Sequence, residues 1–182
     1  IINYKKKFKR KLKSVFIPTT HGSGSEVTKW GTVWNKDKIK KYSLDNNELY
    51  PDLAILDPAL TISLPINLSV ITTLDALSHC FESLWNKNSN STSEKYALKS
   101  IKIIFNNISL LKKDSNNLKT RKKLLEASSL AGLAISQTRT AAAHSISYPL
   151  TLIHNIPHGT AASISLCSLL DLNYNSIKKI ID

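Results

Sequence analysis

A change of texture at Pro65 constrains this chain more than any other feature. Upstream of it, short apolar stretches at Ser14 to Pro18, Gly31 to Trp34 and Leu53 to Leu56 are separated by clusters of Gly, Asn, Asp or Pro. That pattern belongs to short strands joined by turns. Downstream, apolar residues recur at helical spacing through long segments with almost no Gly or Pro until Pro149, as in a bundle of packed helices. The spacing predicts helices over about Ser69 to Trp85, Ser91 to Leu111, Leu118 to Gln137, Thr140 to Tyr148 and Pro157 to Leu170, with an Asn-rich loop from Asn86 to Asn90 closing the first. The polar stretch Asn173 to Lys179 reads as a connection.

With 182 residues and 42% hydrophobic content, the chain can bury one sizeable core or two modest ones. No apolar run reaches the roughly 18 residues that span a bilayer, and the basic opening IINYKKKFKRKLKSVF is not followed by the apolar stretch of a signal peptide. A cytoplasmic location without a membrane partner is expected. Cys80 and Cys167 lie far apart without CxxC spacing, so reduced thiols are expected rather than a disulfide or a zinc knuckle. The formal charge of +12 raises nucleic acid as a partner. The excess, however, sits in the run Lys5 to Lys13 and in lysines scattered among Asn and Ile, with no aromatic-interleaved basic motif. No nucleic-acid partner is expected. The absence of any methionine suggests a chain that begins partway into a gene product.

Asp75 and His79 stand four residues apart on a segment that should be helical, so both project from one face and could chelate one ion or form a simple helical ion pair. On one continuous helix His144 and His158 would be separated by roughly 21 Å, too far to share an ion. Pro149 and Pro157 are both expected to interrupt the helix, and His154-Asn155-Ile156 offers a turn that lets His158 fold back towards His144. Pro157 also places His158 in the opening turn of the next helix, where the positive end of the dipole keeps an imidazole neutral. His154 reads as an exposed loop residue. One carboxylate and three imidazoles suit Fe(II), Zn(II), Co(II) or Mn(II).

Four strings carry a resemblance. Leu74-Asp75-Ala76-Leu77-Ser78-His79, Ala143-His144-Ser145 and Ile156-Pro157-His158-Gly159 resemble the metal motif of the group III, iron-containing alcohol dehydrogenases, and Ile17 to Thr28, IPTTHGSGSEVT, is similar to that family's cofactor loop. The resemblance implies a dehydroquinate synthase-like fold. It consists of part of an α/β dinucleotide-binding domain over residues 1–64, then an all-helical metal-binding domain over 65–182, with the family's glycine-rich phosphate loop and last helices outside this sequence. It implies Fe(II), or Zn(II), held by Asp75, His79, His144 and His158. It also implies NAD(H) or NADP(H) contacted by Thr19, Thr20, His21, Gly22, Ser23, Thr28 and Lys41. The activity implied is reduction of a small aldehyde to its alcohol; a homodimer is left open.

The segment Ile135 to Thr151 resembles the subgroup that reduces phosphonoacetaldehyde to 2-hydroxyethylphosphonate. On that reading Arg139 pairs with a phosphonate through its planar fork, the alternative being a structural ion pair. Tyr148 stands where many relatives carry a histidine that relays the proton, so a tyrosine hydroxyl or water would serve here. Butanol- or glycerol-type dehydrogenases and an inactive metal-binding remnant are the alternatives to this assignment.

Overall fold

A computed structural model describes residues 12–35 and 37–181; most of the basic opening, up to Lys11, lies outside the described residues. β1 (Val15–Phe16) and β4 (Leu53–Ala54) pair in parallel, Val15 opposite Leu53 and Phe16 opposite Ala54. Between them the chain makes an antiparallel hairpin of β2 (Trp30–Asn35) and β3 (Lys40–Asp45). The expected strands correspond to β1, β2 and β4, while β3 was not anticipated. Its sequence KKYSLD is mostly polar, and its extended conformation comes from pairing with β2 rather than from its own propensity.

Among the described residues seven α-helices follow: α1 (Ile66–Leu84), α2 (Ser91–Asn107), α3 (Leu110–Lys113), α4 (Leu118–Thr138), α5 (Ala142–His154), α6 (His158–Ser163) and α7 (Leu166–Ile181). Helix α1 lies at the centre, packed against α2, α4, α5, α6 and α7. Its Ala76, Leu77, Cys80 and Leu84 meet Ala97 and Ile104 of α2, Ala127, Ala131 and Ala134 of α4, and Ile177 of α7. The alanines let neighbouring backbones approach closely; Ser100 Oγ even donates to the Ala127 carbonyl at 2.7 Å. A central helix is covered nearly all round, so α1 also buries Asp75, Ser78, His79 and Glu82. Buried polar groups of that kind need partners, and those partners make the site.

Helix boundaries depart from expectation in four places, one being the segment from Ser91 to Leu111, which is divided into α2 and α3. Helix α5 continues through Pro149 instead of breaking there. Pro149 has no N–H to donate to the Ser145 carbonyl one turn earlier, so α5 continues with one backbone hydrogen bond fewer. The reversal comes at Asn155, which takes the left-handed conformation (φ 55°) and ends α5. The stretch Asn173 to Lys179 is helical rather than a connection, because its polar residues form the outer face of α7 while Leu170, Ile177 and Ile180 turn to the core. The segment expected as a single helix from Pro157 is divided into α6 and α7.

The link from β4 into α1 is fastened by Arg121 of α4, which is only 1% exposed. Its Nε donates to the Ser115 carbonyl at 2.6 Å, Nη2 to the Leu64 carbonyl at 3.0 Å, and Nη1 to the Thr61 carbonyl. Nη1 also reaches Ser69 Oγ at 3.4 Å. The guanidinium thus joins the Thr61 and Leu64 carbonyls just ahead of α1, and the Ser69 hydroxyl in its first turn, to the Ser115 carbonyl ahead of α4.

Candidate active site

Helix α1 supplies Asp75, His79 and Glu82, at intervals of four and three that keep them on one face. Helix α5 supplies His144 and Tyr148, and α6 begins with His158. Gly159 sets the approach of α6 to α1: a Cβ there would lie 2.0 Å from the Ile71 carbonyl oxygen, one turn before Asp75. No larger residue could bring His158 so near.

Asp75 Oδ1 is the hub. It lies 3.4 Å from His144 Nε2, 3.7 Å from His158 Nε2 and 3.9 Å from His79 Nε2. Ligand atoms about 2.1 Å from a tetrahedral ion stand roughly 3.4 Å apart, so this spacing matches one shared cation. Ligand atoms of Asp75, His79 and His144 lie within 4.8 Å of one another. His158, with its side chain 34% exposed, closes the group from the cleft side. The His79 and His144 rings stack at 4.7 Å, and His158 meets His144 edge-on at 5.4 Å. Asp75 Oδ1 and His144 Nε2 are buried without a hydrogen-bond partner. Unpaired polar atoms aimed at one point are what a divalent cation would satisfy; the donor set fits it.

Glu82, which the sequence reading did not single out, completes the arrangement. It is fully buried, its Oε2 lies 2.5 Å from His144 Nδ1, and its Oε1 accepts the His144 backbone N–H at 3.2 Å. A carboxylate on the far nitrogen of a metal-binding histidine fixes ring orientation and tautomer and raises its basicity. The available signal was phase: Glu82 follows His79 by three residues on the buried face.

The charges of these side chains act on one another. Burial raises the Asp75 carboxyl, but the three surrounding histidines more than offset it and hold the group below the usual carboxylate range. Burial drives His79 down to about 4 and also lowers His158. Burial opposes protonation of His144 too, yet its contacts with Asp75 and Glu82 raise it to about 9. A proton on His144 must therefore leave when a cation takes Nε2. Below the folded value of about 9, metal affinity is expected to rise about tenfold per pH unit, with about one proton released per ion at neutral pH. The dependence should flatten as pH passes the folded value. Calorimetric titration in buffers of different ionisation enthalpy measures the proton count; a count of zero at neutral pH would contradict the His144 arrangement.

A cleft of about 590 Å³ opens over these groups, with walls from the 19–28 loop, the β2–β3 hairpin and the ends of α4 and α5. Of the residues expected to contact a dinucleotide, Ser23, Thr28 and Lys41 line it. Thr19 and Thr20, with Ser23, border a neighbouring hollow of about 410 Å³ at the end of β1. His21 and Gly22 line neither space. His21 is fully buried, burial lowers it to about 4, and its backbone N–H donates to Thr72 Oγ1 at 3.4 Å. A Cβ on Gly22 would meet the Thr72 carbonyl oxygen at 2.6 Å. Both residues dock the loop on α1. Gly24, at φ 58°, abuts Gly132 of α4 so closely that a Cβ would lie 2.5 Å from the Gly132 Cα.

Arg139 lines the cleft, but its Nη2 pairs with Asp45 Oδ2 of β3, and Asp45 also lies 3.4 Å from Lys29 Nζ. The structural ion pair is therefore formed. Arg139 also carries φ 72° and ψ 174°, a region that L residues rarely occupy. Tyr148 offers its ring to Lys41, whose Nζ sits 3.8 Å from the centroid. Trp34 meets the edges of Tyr148 at 6.1 Å and His158 at 5.9 Å.

A strand pair and glycine-bearing loop leading into a helical bundle, with an Asp-His-His-His cluster under the cleft between them, is a fold shared with metal-dependent dehydrogenases. The chain belongs to the iron-containing alcohol dehydrogenase family. The profile described as Fe-containing alcohol dehydrogenase family, C-terminal, matches residues 69–181, and that of iron-containing alcohol dehydrogenase matches residues 2–58. A 1-propanol dehydrogenase of Citrobacter freundii is 38% identical over 159 residues, covering 87% of this chain and 43% of the relative. The crystal structure of sulfoacetaldehyde reductase from Bifidobacterium kashiwanohense in complex with NAD+ superposes with a TM-score of 0.86 at 35% identity, over 90% of this chain and 44% of that one. An iron-containing alcohol dehydrogenase from Thermotoga maritima gives 0.85 at 36% identity, over 96% of this chain and 47% of that one. The chain thus spans less than half the length of these relatives. Among the described residues no helix is long and apolar enough to cross a membrane.

Proposed function

We propose that this chain forms the metal-binding part of an NAD(P)-linked alcohol dehydrogenase that interconverts a small aldehyde and its alcohol. The observation that carries the reading is Asp75 Oδ1 lying 3.4 to 3.9 Å from three histidine Nε2 atoms beneath a cleft walled by Ser23, Thr28 and Lys41. Asp75, His79, His144 and His158 would hold Fe(II), with Zn(II) the other candidate, and Glu82 orients His144. Hydroxyls and exposed backbone N–H groups of the 19–28 loop suit the phosphates of NAD(H) or NADP(H).

A cation held by these four residues would polarise the carbonyl and favour negative charge on its oxygen, and a bound nicotinamide would supply hydride. The chain's own residues orient the aldehyde and shield it from bulk water, with Trp34 and Tyr148 forming the apolar wall. Reduction consumes one aldehyde, one NAD(P)H and one proton; the Tyr148 hydroxyl or a cleft water delivers that proton to the product oxygen.

The finer assignment is phosphonoacetaldehyde reduced to 2-hydroxyethylphosphonate. The cations in the cleft and the likeness to a sulfoacetaldehyde reductase, whose named substrate bears an anion on the carbon next to the carbonyl, support it. The 1-propanol dehydrogenase relative favours an uncharged substrate as the second reading. The complete gene product, reconstituted with Fe(II) or Zn(II), is to be assayed with NADH and NADPH against phosphonoacetaldehyde, sulfoacetaldehyde and propanal. Metal-dependent turnover with the highest kcat/KM on a charged aldehyde is expected. Preference for propanal would reject the phosphonate assignment, and stoichiometric metal without turnover would reject the dehydrogenase.

A further inference from the structure

The cleft presents two cationic side chains in different states. Arg139 is engaged by Asp45 and caps α4 in a strained conformation, so it ties the hairpin to the helical bundle. Lys41 forms no ion pair among the described residues. Its ammonium rests on the face of Tyr148 at 3.8 Å and lies 5.8 Å from the centroid of Trp34.

This seat is built by the hairpin. Trp34 and Lys41 are cross-strand partners and therefore emerge on the same face of the β2–β3 ribbon. The Trp34 ring also touches His158 edge-on at 5.9 Å. One indole thus separates the lysine from a member of the Asp-His cluster. An ammonium held over an aromatic face, away from bulk water on one side, has lost rotamer freedom and some hydration already. A carboxylate, sulfonate or phosphonate arriving from the cleft gains a preorganised, charge-assisted hydrogen bond there.

We propose that Lys41, seated on Tyr148 and backed by Trp34, reads the anionic group of the substrate, which is a short aldehyde carrying sulfonate, phosphonate or carboxylate within a few bonds of its carbonyl. The proposal rests on the aldehyde-reductase reading above and moves anion recognition from Arg139 to Lys41. Towards the anion Tyr148 then acts as a positioning residue through its ring, and any proton delivery by its hydroxyl would affect charged and uncharged aldehydes alike.

The test compares the complete, metal-loaded gene product with its Lys41→Met, Arg139→Met, Tyr148→Phe and Tyr148→Ala variants, reading kcat and KM for sulfoacetaldehyde and propanal. Lys41→Met is expected to lower the sulfoacetaldehyde-to-propanal ratio of kcat/KM by about tenfold or more, the scale of one charge-assisted hydrogen bond, mainly through KM of the charged aldehyde. Tyr148→Ala should lower the ratio similarly and Tyr148→Phe should preserve it, while Arg139→Met should change it less than Lys41→Met does. Equal losses on both aldehydes in Lys41→Met, accompanied by a raised KM for NAD(P)H, would show that Lys41 serves only the dinucleotide and would overturn the proposal. So would a larger change of the ratio in Arg139→Met.

A second measurement needs no turnover. Tryptophan fluorescence followed during titration with ethanesulfonate should show saturable binding that weakens with salt and is at least about tenfold weaker in Lys41→Met. The same affinity in both proteins, or no saturable binding to the unmodified protein, would overturn the proposal. Absence of activity with every aldehyde would instead sink the dehydrogenase reading, and the fluorescence titration would still decide the role of Lys41.

Discussion

His144→Ala is expected to strip the metal from the complete gene product and to cut aldehyde turnover by at least roughly a thousandfold, the upper scale for losing a principal electrostatic stabiliser. The side chain has two partners. Its Nε2 lies 3.4 Å from Asp75 Oδ1, and its Nδ1 lies 2.5 Å from Glu82 Oε2. Alanine therefore removes one donor to the cation and also leaves the fully buried Glu82 facing an empty pocket. Glu82→Gln is the graded control, because an amide can still orient the ring but supplies no charge. A fall in metal affinity of about 10- to 100-fold is expected for such an outer partner. Metal content by elemental analysis and circular dichroism on the same samples separate loss of the ion from loss of the fold. Full metal occupancy in His144→Ala would remove this residue from the site.

Arg121→Met should be the most destabilising single change outside the site. The residue is 1% exposed and donates to the carbonyls of Thr61, Leu64 and Ser115, with no carboxylate partner recorded among the described residues. Methionine fills much of the volume but leaves the buried Thr61 carbonyl and the half-buried Leu64 and Ser115 carbonyls unpaired, at about 1–3 kcal/mol each where water cannot reach them. A total cost of about 3–5 kcal/mol is a large share of the roughly 5–15 kcal/mol that stabilises an ordinary domain. For a chain of this size it corresponds to a fall in Tm on the order of 10 °C. Arg121→Lys should recover only part of the loss, since an ammonium cannot span the same fork. A thermal melt of Arg121→Met within a degree or two of the unmodified protein would refute the clamp.

These two residues mark where the sequence was legible and where it was not. The meeting of Asp75 with His79 follows from four-residue spacing on one helix. The return of His158 to His144 follows from the expected turn His154-Asn155-Ile156 ahead of Pro157, where the chain does reverse at Asn155, even though Pro149 sits inside α5. Those are local rules. Arg121 belongs to the run Leu118 to Lys123, where its neighbours are ordinary surface lysines, and only the tertiary approach of Thr61 and Leu64 makes it a buried clamp. Glu82 reads as one more helical acid until the burial of α1 is known. His21 and Gly22 share a motif with Ser23, yet the packing of the loop on α1 turns them away from the cleft. Strand β3 formed no pattern of its own because its partner supplies the order.

The central claim is that four side chains from α1, α5 and α6 share one cation. The most direct measurement is a crystal structure of the Fe(II)-reconstituted gene product, with anomalous scattering collected at the iron edge. A single peak about 2.0–2.3 Å from an Asp75 carboxylate oxygen and from Nε2 of His79, His144 and His158 is the result expected. An iron peak elsewhere, or none among these four residues in a protein that retains stoichiometric iron, would contradict it.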